Sequence, residues 1–101
     1  MLNKSVARRY AEALFSIAKE ENNIDQYQNQ FKLVIDTVKE IEGFKEYLDN
    51  FLIPGAEKKQ LLKRIFASEL AAKMLTFLYI VVDKKREVYL ELIYHEFVEL
   101  A

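Results

Sequence analysis

His95 is the residue best suited by type to chemistry, because it is the only histidine among 101 residues. Glu91 and Glu99 lie four residues before and after it, so on a helix the three side chains would share one face. Three side chains at this spacing can contact a divalent ion. The chain has no second histidine and no cysteine to complete such a site. A solvated strip on an acidic helix is therefore favoured over a metal-dependent activity.

Nucleophilic and phosphate-binding motifs are also missing from the sequence. Ser5, Ser16 and Ser68 lack the surroundings of a nucleophile elbow, and any Ser-His triad would have to use the single histidine. Gly43 and Gly55 stand alone, so no glycine-rich loop can cradle a phosphate. The sequence indicates a non-catalytic chain, and we expect no cofactor and no metal.

Paired basic residues are the remaining candidates for a charged site. The chain carries 15 Lys and Arg against 16 Asp and Glu, and acidic residues intersperse the basic pairs. This balance removes the usual electrostatic support for non-specific nucleic-acid binding, so no nucleic-acid partner is predicted. A helical RNA-binding or regulatory bundle stays open as an alternative, and it would bind through Lys58, Lys59, Lys63, Arg64 and Lys84 to Arg86.

The elements that must position these residues are predicted to be helices. Two glycines and one proline are too few for the turns of an all-β domain. The longest apolar stretch, Met74 to Val82, is only half of the ~18 residues that a membrane span requires, so no direct membrane insertion is expected. The sequence predicts an all-α fold, a compact six-helix bundle.

Apolar periodicity and capping signals define the six helices. A capping box is predicted at Asn23 and Gln26. The last helix has no stop signal, so we expect residues 1–101 to be a single domain, the N-terminal part of a longer protein. The predicted helices are Lys4–Glu21 with Asn3 or Ser5 as N-cap, a second from the Asn23 cap to Gly43, Phe44–Phe51, Glu57–Phe66, a fifth from the Ser68 cap to Asp83, and Glu87–Ala101.

Two helices carry more apolar surface than a core needs. The stripe of the first spans about 200°, against the roughly 100° that facing a core requires. It could be buried between two neighbours in the bundle, or between the core and a partner. The fifth is apolar nearly all round, and Ile80 falls inside its narrow polar arc with Phe77 at the edge. Together these faces favour an exposed groove that accepts an amphipathic helix.

Three segments resemble a known family. Tyr10-Ala-Glu-Ala-Leu-Phe15 is similar to the opening helix of the ATP synthase delta subunit family, the bacterial counterpart of the mitochondrial oligomycin-sensitivity-conferring protein. Pro54 followed by Lys58-Lys-Gln-Leu-Leu62 resembles its middle segment. The run from Phe77 to Arg86 resembles its penultimate helix, although Lys-Lys-Arg replaces the common Asn-Gly-Arg or Asn-x-Arg turn. We therefore expect a less sharply defined break there.

The resemblance implies a six-helix bundle on top of the catalytic head of the synthase. It implies a stator clamp that binds the N-terminal helix of an alpha subunit across the first and fifth helices. By position, the partner face would include Tyr10, Ala13 and Ile80. Wheel geometry alone adds five further residues to that face: Val6, Ile17, Thr76, Phe77 and Lys84.

The resemblance also implies partners beyond this chain. A second, C-terminal domain, absent from these 101 residues, would meet the b subunits of the peripheral stalk and link head to stalk. Rotation could then couple proton flow to ATP synthesis. The complex would place the chain at the cytoplasmic face of the cell membrane, as a peripheral component.

Overall fold

Six α-helices form the chain in a computed structural model, which describes residues 2–101. A 3-10 turn, Glu87–Tyr89, precedes the last helix. No residue of the described range lies in a strand, so the predicted all-α six-helix bundle is confirmed. No helix in that range is both long and apolar enough to cross a membrane. The helices are α1 (Lys4–Glu20), α2 (Ile24–Glu40), α3 (Phe44–Asp49), α4 (Gly55–Phe66), α5 (Ala72–Asp83) and α6 (Leu90–Leu100).

Asparagines set both ends of α1. The side-chain oxygen of Asn3 accepts a hydrogen bond from the backbone N–H of Ser5 at 2.9 Å, which satisfies one of the free donors of the first turn. At the other end Asn22 has a φ of +56°, and the N–H of Asn23 donates to the carbonyl of Ala18 at 2.9 Å. This is a Schellman motif, and the predicted stop at Asn22-Asn23 is confirmed.

The end of α5 repeats this motif at a lysine. Lys85 has a φ of +56°, and its N–H donates to the carbonyl of Val82 at 3.0 Å. The N–H of Arg86 donates to the carbonyl of Val81 at 2.9 Å. These bonds close the helix sharply after Asp83, so the expectation of a poorly defined break is wrong.

The start of α5 also differs from the prediction. The helix begins at Ala72, and Ser68 lies in the preceding turn without capping it. The backbone N–H of Ala71 donates instead to Oε1 of Gln30 on α2 at 2.8 Å. A side chain 41 residues away therefore anchors the first turn of α5.

Two further boundaries correct the prediction. Asn23 precedes α2 but makes no side-chain capping bond, so the capping box with Gln26 is wrong. The last helix was expected to start at Glu87, but that residue and the two after it form the 3-10 turn. Both differences are local and leave the order of helices unchanged.

The third helix is shorter than predicted. It ends at Asp49, because the side-chain oxygen of Asn50 accepts a hydrogen bond from the N–H of Leu52 at 3.0 Å. An asparagine bonded in this way turns the chain out of helical geometry. Phe51, predicted to be the last residue of the third helix, lies instead in the turn after it and is 81% exposed.

Small side chains let α1 pack closely along α6. The start of α1 lies beside the start of α6, and the two helices run in the same direction. The hydroxyl of Tyr89 accepts from the N–H of Asn3 at 3.2 Å, and Nη1 of Arg8 lies 3.1 Å from Oε1 of Glu96. The fully buried residues of α1 are Ala7, Ala11, Leu14 and Ala18.

Phe31 on α2 is the centre of the core. Its ring meets those of Phe77, Tyr94 and Phe97 edge to face, with centroids 6.0, 5.3 and 6.2 Å away. Edge-to-face contacts are the favoured geometry for such rings. This cluster joins α2 to α5 and α6, and so fixes the helix that carries Ile80.

Candidate protein-binding groove

A groove of about 600 Å³ runs between α1 and α5. Its α1 wall has side chains spaced by four, three and four residues, which places them on one helical face. On the α5 wall, Ile80 lies four residues after Thr76 and three after Phe77, and Lys84 follows Ile80 by four, so these side chains also share one helical face. The structure brings all eight predicted residues together on this one surface: Val6, Tyr10, Ala13, Ile17, Thr76, Phe77, Ile80 and Lys84. Their contact with a partner stays a prediction.

The wide stripe of α1 divides into two faces. One face is the fully buried set that packs in the core. The other lies in the groove, where Val6, Tyr10 and Ile17 are half-buried and Ala13 is exposed. The sequence left open whether the bundle buries the whole stripe. In the structure the bundle buries only part of the stripe, because the second face of α1 remains accessible.

Phe77 and Ile80 take different places in the α5 wall. Phe77 is 5% exposed and forms part of the groove floor, since its ring packs against Phe31. Ile80 is 44% exposed, although Val81 and Val82 beside it are buried. A single exposed isoleucine is ordinary on a surface. Here, however, it continues an apolar floor.

The two walls run in opposite directions. At one end Oε2 of Glu21, just after α1, lies 3.2 Å from Nζ of Lys73 at the start of α5. At the other end the guanidinium of Arg86 lies 5.6 Å from the centre of the Tyr89 ring. The Tyr89 hydroxyl in turn accepts from the N–H of Asn3, before α1. The groove therefore runs from the Ile17 and Lys73 end to the Val6 and Lys84 end.

Three basic residues that the sequence prediction missed also line the groove. They are Arg9 on α1, Lys73 on α5 and Arg86 after α5. Helical spacing could have found two of them, because Arg9 lies four residues before Ala13 and Lys73 lies seven before Ile80. From the sequence alone, charged residues such as these are expected to be solvated. Only the fold shows that they border the apolar floor.

A buried tyrosine supports the Glu21 end. The hydroxyl of Tyr27 on α2 donates to Oε1 of Glu21 at 2.6 Å. Burial and this contact raise the pKa of Tyr27 to about 12. The same hydrogen bond, followed by Lys73, lowers the pKa of Glu21 from its ordinary value of 4.5. The carboxylate therefore links three helices while remaining ionised.

The candidate metal ligands are taken by other partners. Oε2 of Glu91 lies 2.6 Å from Nζ of Lys39, whose hydrogen bond is the main cause lowering the pKa of Glu91. Nε2 of His95 lies 3.8 Å from the same carboxylate, and Glu99 lies 3.6 Å from Arg8. Among residues 2–101 no three potential ligands come together in a way that could hold a metal ion.

The basic residues of the RNA-binding alternative do not form one free surface. Lys58 is 2% exposed, and its Nζ lies 2.8 Å from Oε2 of Glu87. Nζ of Lys59 lies 2.7 Å from Oδ1 of Asp83. Two of the cations named for RNA contact are therefore held by carboxylates, and nothing in the geometry favours that alternative.

Comparison with known proteins matches this chain to one family. The sequence model of the family described as "ATP synthase delta (OSCP) subunit" matches residues 6–101. Over 101 residues, the chain is 41% identical to ATP synthase subunit delta of Syntrophomonas wolfei and 36% identical to that of Desulforudis audaxviator. It is 39% identical over the same length to ATP synthase subunit delta of Desulforamulus reducens. Each match covers 100% of this chain and 56% of the relative. The chain thus spans just over half the length of these curated relatives.

Proposed function

The chain belongs to the ATP synthase delta (OSCP) subunit family, and we propose that it acts as a non-catalytic stator clamp. In this role its groove binds the N-terminal helix of an alpha subunit on top of the catalytic head. The observation that carries the proposal is the second apolar face of α1, which the bundle leaves accessible opposite Ile80.

The groove has the features of a helix receptor. Its walls present residues at three- and four-residue spacing, so the ridge of a third helix can lie between them. Ala13 is small and exposed, which allows the backbone of a docked helix to come close. The 12 residues of α5 extend over about 18 Å, enough for roughly three turns of the partner.

Tyr10 is the strongest candidate for an anchor. It is half-buried on the α1 wall and packs partly against the core. A tyrosine offers a large contact area with few rotatable bonds, and such residues dominate many interfaces. Slow dissociation and rigidity are what a clamp under torque requires, and a buried aromatic contact contributes to both.

The proposed role depends on a connection beyond these residues. Torque from the central stalk acts on the catalytic head, so the head must be tied to the peripheral stalk for proton flow to drive ATP synthesis. We assign this chain to the N-terminal domain of a two-domain protein, whose C-terminal domain would contact the b subunits. The assembled complex would hold the chain peripherally, at the cytoplasmic face of the cell membrane.

Titration of the 101-residue chain with a peptide tests the proposal. The peptide is the N-terminal segment of the alpha subunit from the same organism, and the heat of binding and the gain in helicity are followed together. We expect saturable binding with a dissociation constant of about 10 μM or tighter, equivalent to roughly −7 kcal/mol. No heat and no helicity gain at that concentration range would contradict the clamp.

A further inference from the structure

The rim of the groove carries only one sign of charge. Four basic side chains line it, namely Arg9, Lys73, Lys84 and Arg86. No acidic side chain in residues 2–101 lines it with them. The whole chain has 16 acidic and 15 basic residues, so this one-sided rim does not follow from composition. It is a local separation of charge around an apolar floor.

The free positive charge is concentrated at one end. Lys73 already has a carboxylate partner in Glu21, 3.2 Å away. Arg9 and Lys84 are exposed, and no carboxylate of the described chain comes within ion-pair distance of either. Both lie toward the start of α1 and the end of α5. That end of the groove is therefore more positive than the Glu21 end.

We infer that the groove selects a helix whose apolar stripe is flanked by carboxylates, and that these carboxylates lie at the Arg9 and Lys84 end. The inference rests on the proposed function, since it describes the alpha-subunit segment that would occupy the groove. A purely apolar helix would displace water from these cations and would offer no acceptor for the hydrogen bonds that the water had made. A helix with acidic residues on its flanks restores those bonds and is steered toward the groove.

The apolar floor fits a phosphate backbone poorly. Ala13, Phe77 and Ile80 offer no hydrogen-bond donor along the centre of the groove. A nucleic acid would need donors or several stacking rings there, and only Tyr10 offers an accessible ring. The combination of floor and rim fits an amphipathic acidic helix.

Two peptides test the inference. One is the alpha-subunit N-terminal segment of the same organism, and the other is a copy with each Asp and Glu replaced by Asn and Gln. At about 20 mM salt we expect the native peptide to bind roughly five- to tenfold more tightly, as two rim ion pairs would give. At about 300 mM salt the difference should fall to roughly twofold or less. Equal affinities at low salt would overturn the inference and leave the proposed function standing.

Paired variants of the chain locate the effect. Arg9→Gln with Lys84→Gln removes two of the three rim cations that lack a carboxylate partner in residues 2–101, and it keeps Arg86, whose guanidinium lies over the Tyr89 ring. The control, Lys63→Gln with Arg64→Gln, removes the same charge from exposed positions on α4. We expect only the rim variant to lose most of the preference for the native peptide, down to about twofold or less. An unchanged preference in the rim variant overturns the inference. Failure of both peptides to bind the unaltered chain contradicts the inference and the proposed function together.

Discussion

Oε2 of Glu21 lies 3.2 Å from Nζ of Lys73, and this ion pair joins the end of α1 to the start of α5. The hydroxyl of Tyr27 donates to the same carboxylate at 2.6 Å. An exposed ion pair alone contributes little to stability. The buried tyrosine, however, fixes the carboxylate from a third helix. One end of the groove is therefore held in place, and the opposite end carries the free cations.

Tyr27 should lose its proton at a pH well above the usual range of a tyrosine side chain. Its pKa is raised from 10.0 to about 12, so an unfolded chain loses this proton first. The stability it contributes is present below pH 10 and falls as pH rises toward 12. Absorbance of tyrosinate against pH measures the shift, and Tyr27→Phe should remove the late-titrating component. A Tyr27→Phe curve that keeps that component would contradict the assignment.

Gln30→Ala should loosen the start of α5. The change leaves the N–H of Ala71 without its 2.8 Å acceptor, and loss of such a partly buried hydrogen bond costs about 1 kcal/mol. Hydrogen exchange should quicken in the first turn of α5. Gln26→Ala, an exposed change on the same helix, is the control and should stay within about 0.5 kcal/mol. Equal losses for both variants would show that the contact does not anchor α5.

The buried pair of Lys58 and Glu87 should act as a unit. Lys58→Met leaves a carboxylate that is only 9% exposed without its partner, and such a break costs about 3–5 kcal/mol. Adding Glu87→Met should restore much of that loss, since no unpaired charge then remains buried. Chemical denaturation of the two single variants and the double variant measures the coupling. Additive losses would mean that the pair is not coupled in the folded chain.

Lys85→Gly should stabilise the chain. Lys85 has a φ of +56°, a conformation that costs a residue with a Cβ roughly 1–2 kcal/mol. Glycine avoids that cost but loses more freedom on folding, so the net gain should be about 0.5–1 kcal/mol. Lys84→Gly is the matched control, because Lys84 has a φ of −85° and gains no relief. Chemical denaturation measures the free energy of unfolding of both variants. A loss of stability of similar size in each would contradict the claim that Lys85 is strained.

Local spacing accounts for much that the sequence predicted. The end of α1 at Asn22 depends on the tolerance of asparagine for positive φ. That tolerance is a property of the residue type, so the sequence alone reveals it. The groove face of α1 follows from helical periodicity, since Tyr10 and Ile17 are seven residues apart. The exposure of Ile80 followed from its position among polar residues on a wheel.

Contacts between distant residues account for what the sequence missed. Ser68 is a good cap by type, but Gln30 anchors α5 from another helix, and no local pattern reveals that bond. Lys85 adopts the geometry of a glycine because backbone bonds to the preceding turn hold it. Arg9 looked solvated in the sequence, and only the position of α5 makes it part of a groove rim.

The role of Ile80 tests the central proposal most directly. Calorimetric titration with the alpha-subunit N-terminal peptide is compared between the unaltered chain, Ile80→Asp and Leu33→Asp. The last is the control, because Leu33 is 37% exposed on α2, outside the groove. Thermal melting of each variant accompanies the titration.

We predict that Ile80→Asp abolishes binding and largely keeps the melting temperature, since Ile80 is 44% exposed, while Leu33→Asp binds as the unaltered chain does. Unchanged binding by a folded Ile80→Asp variant would contradict the claim that this groove receives the alpha-subunit helix. Unfolding by Ile80→Asp alone would contradict it too, because it would make Ile80 a core residue rather than a binding one.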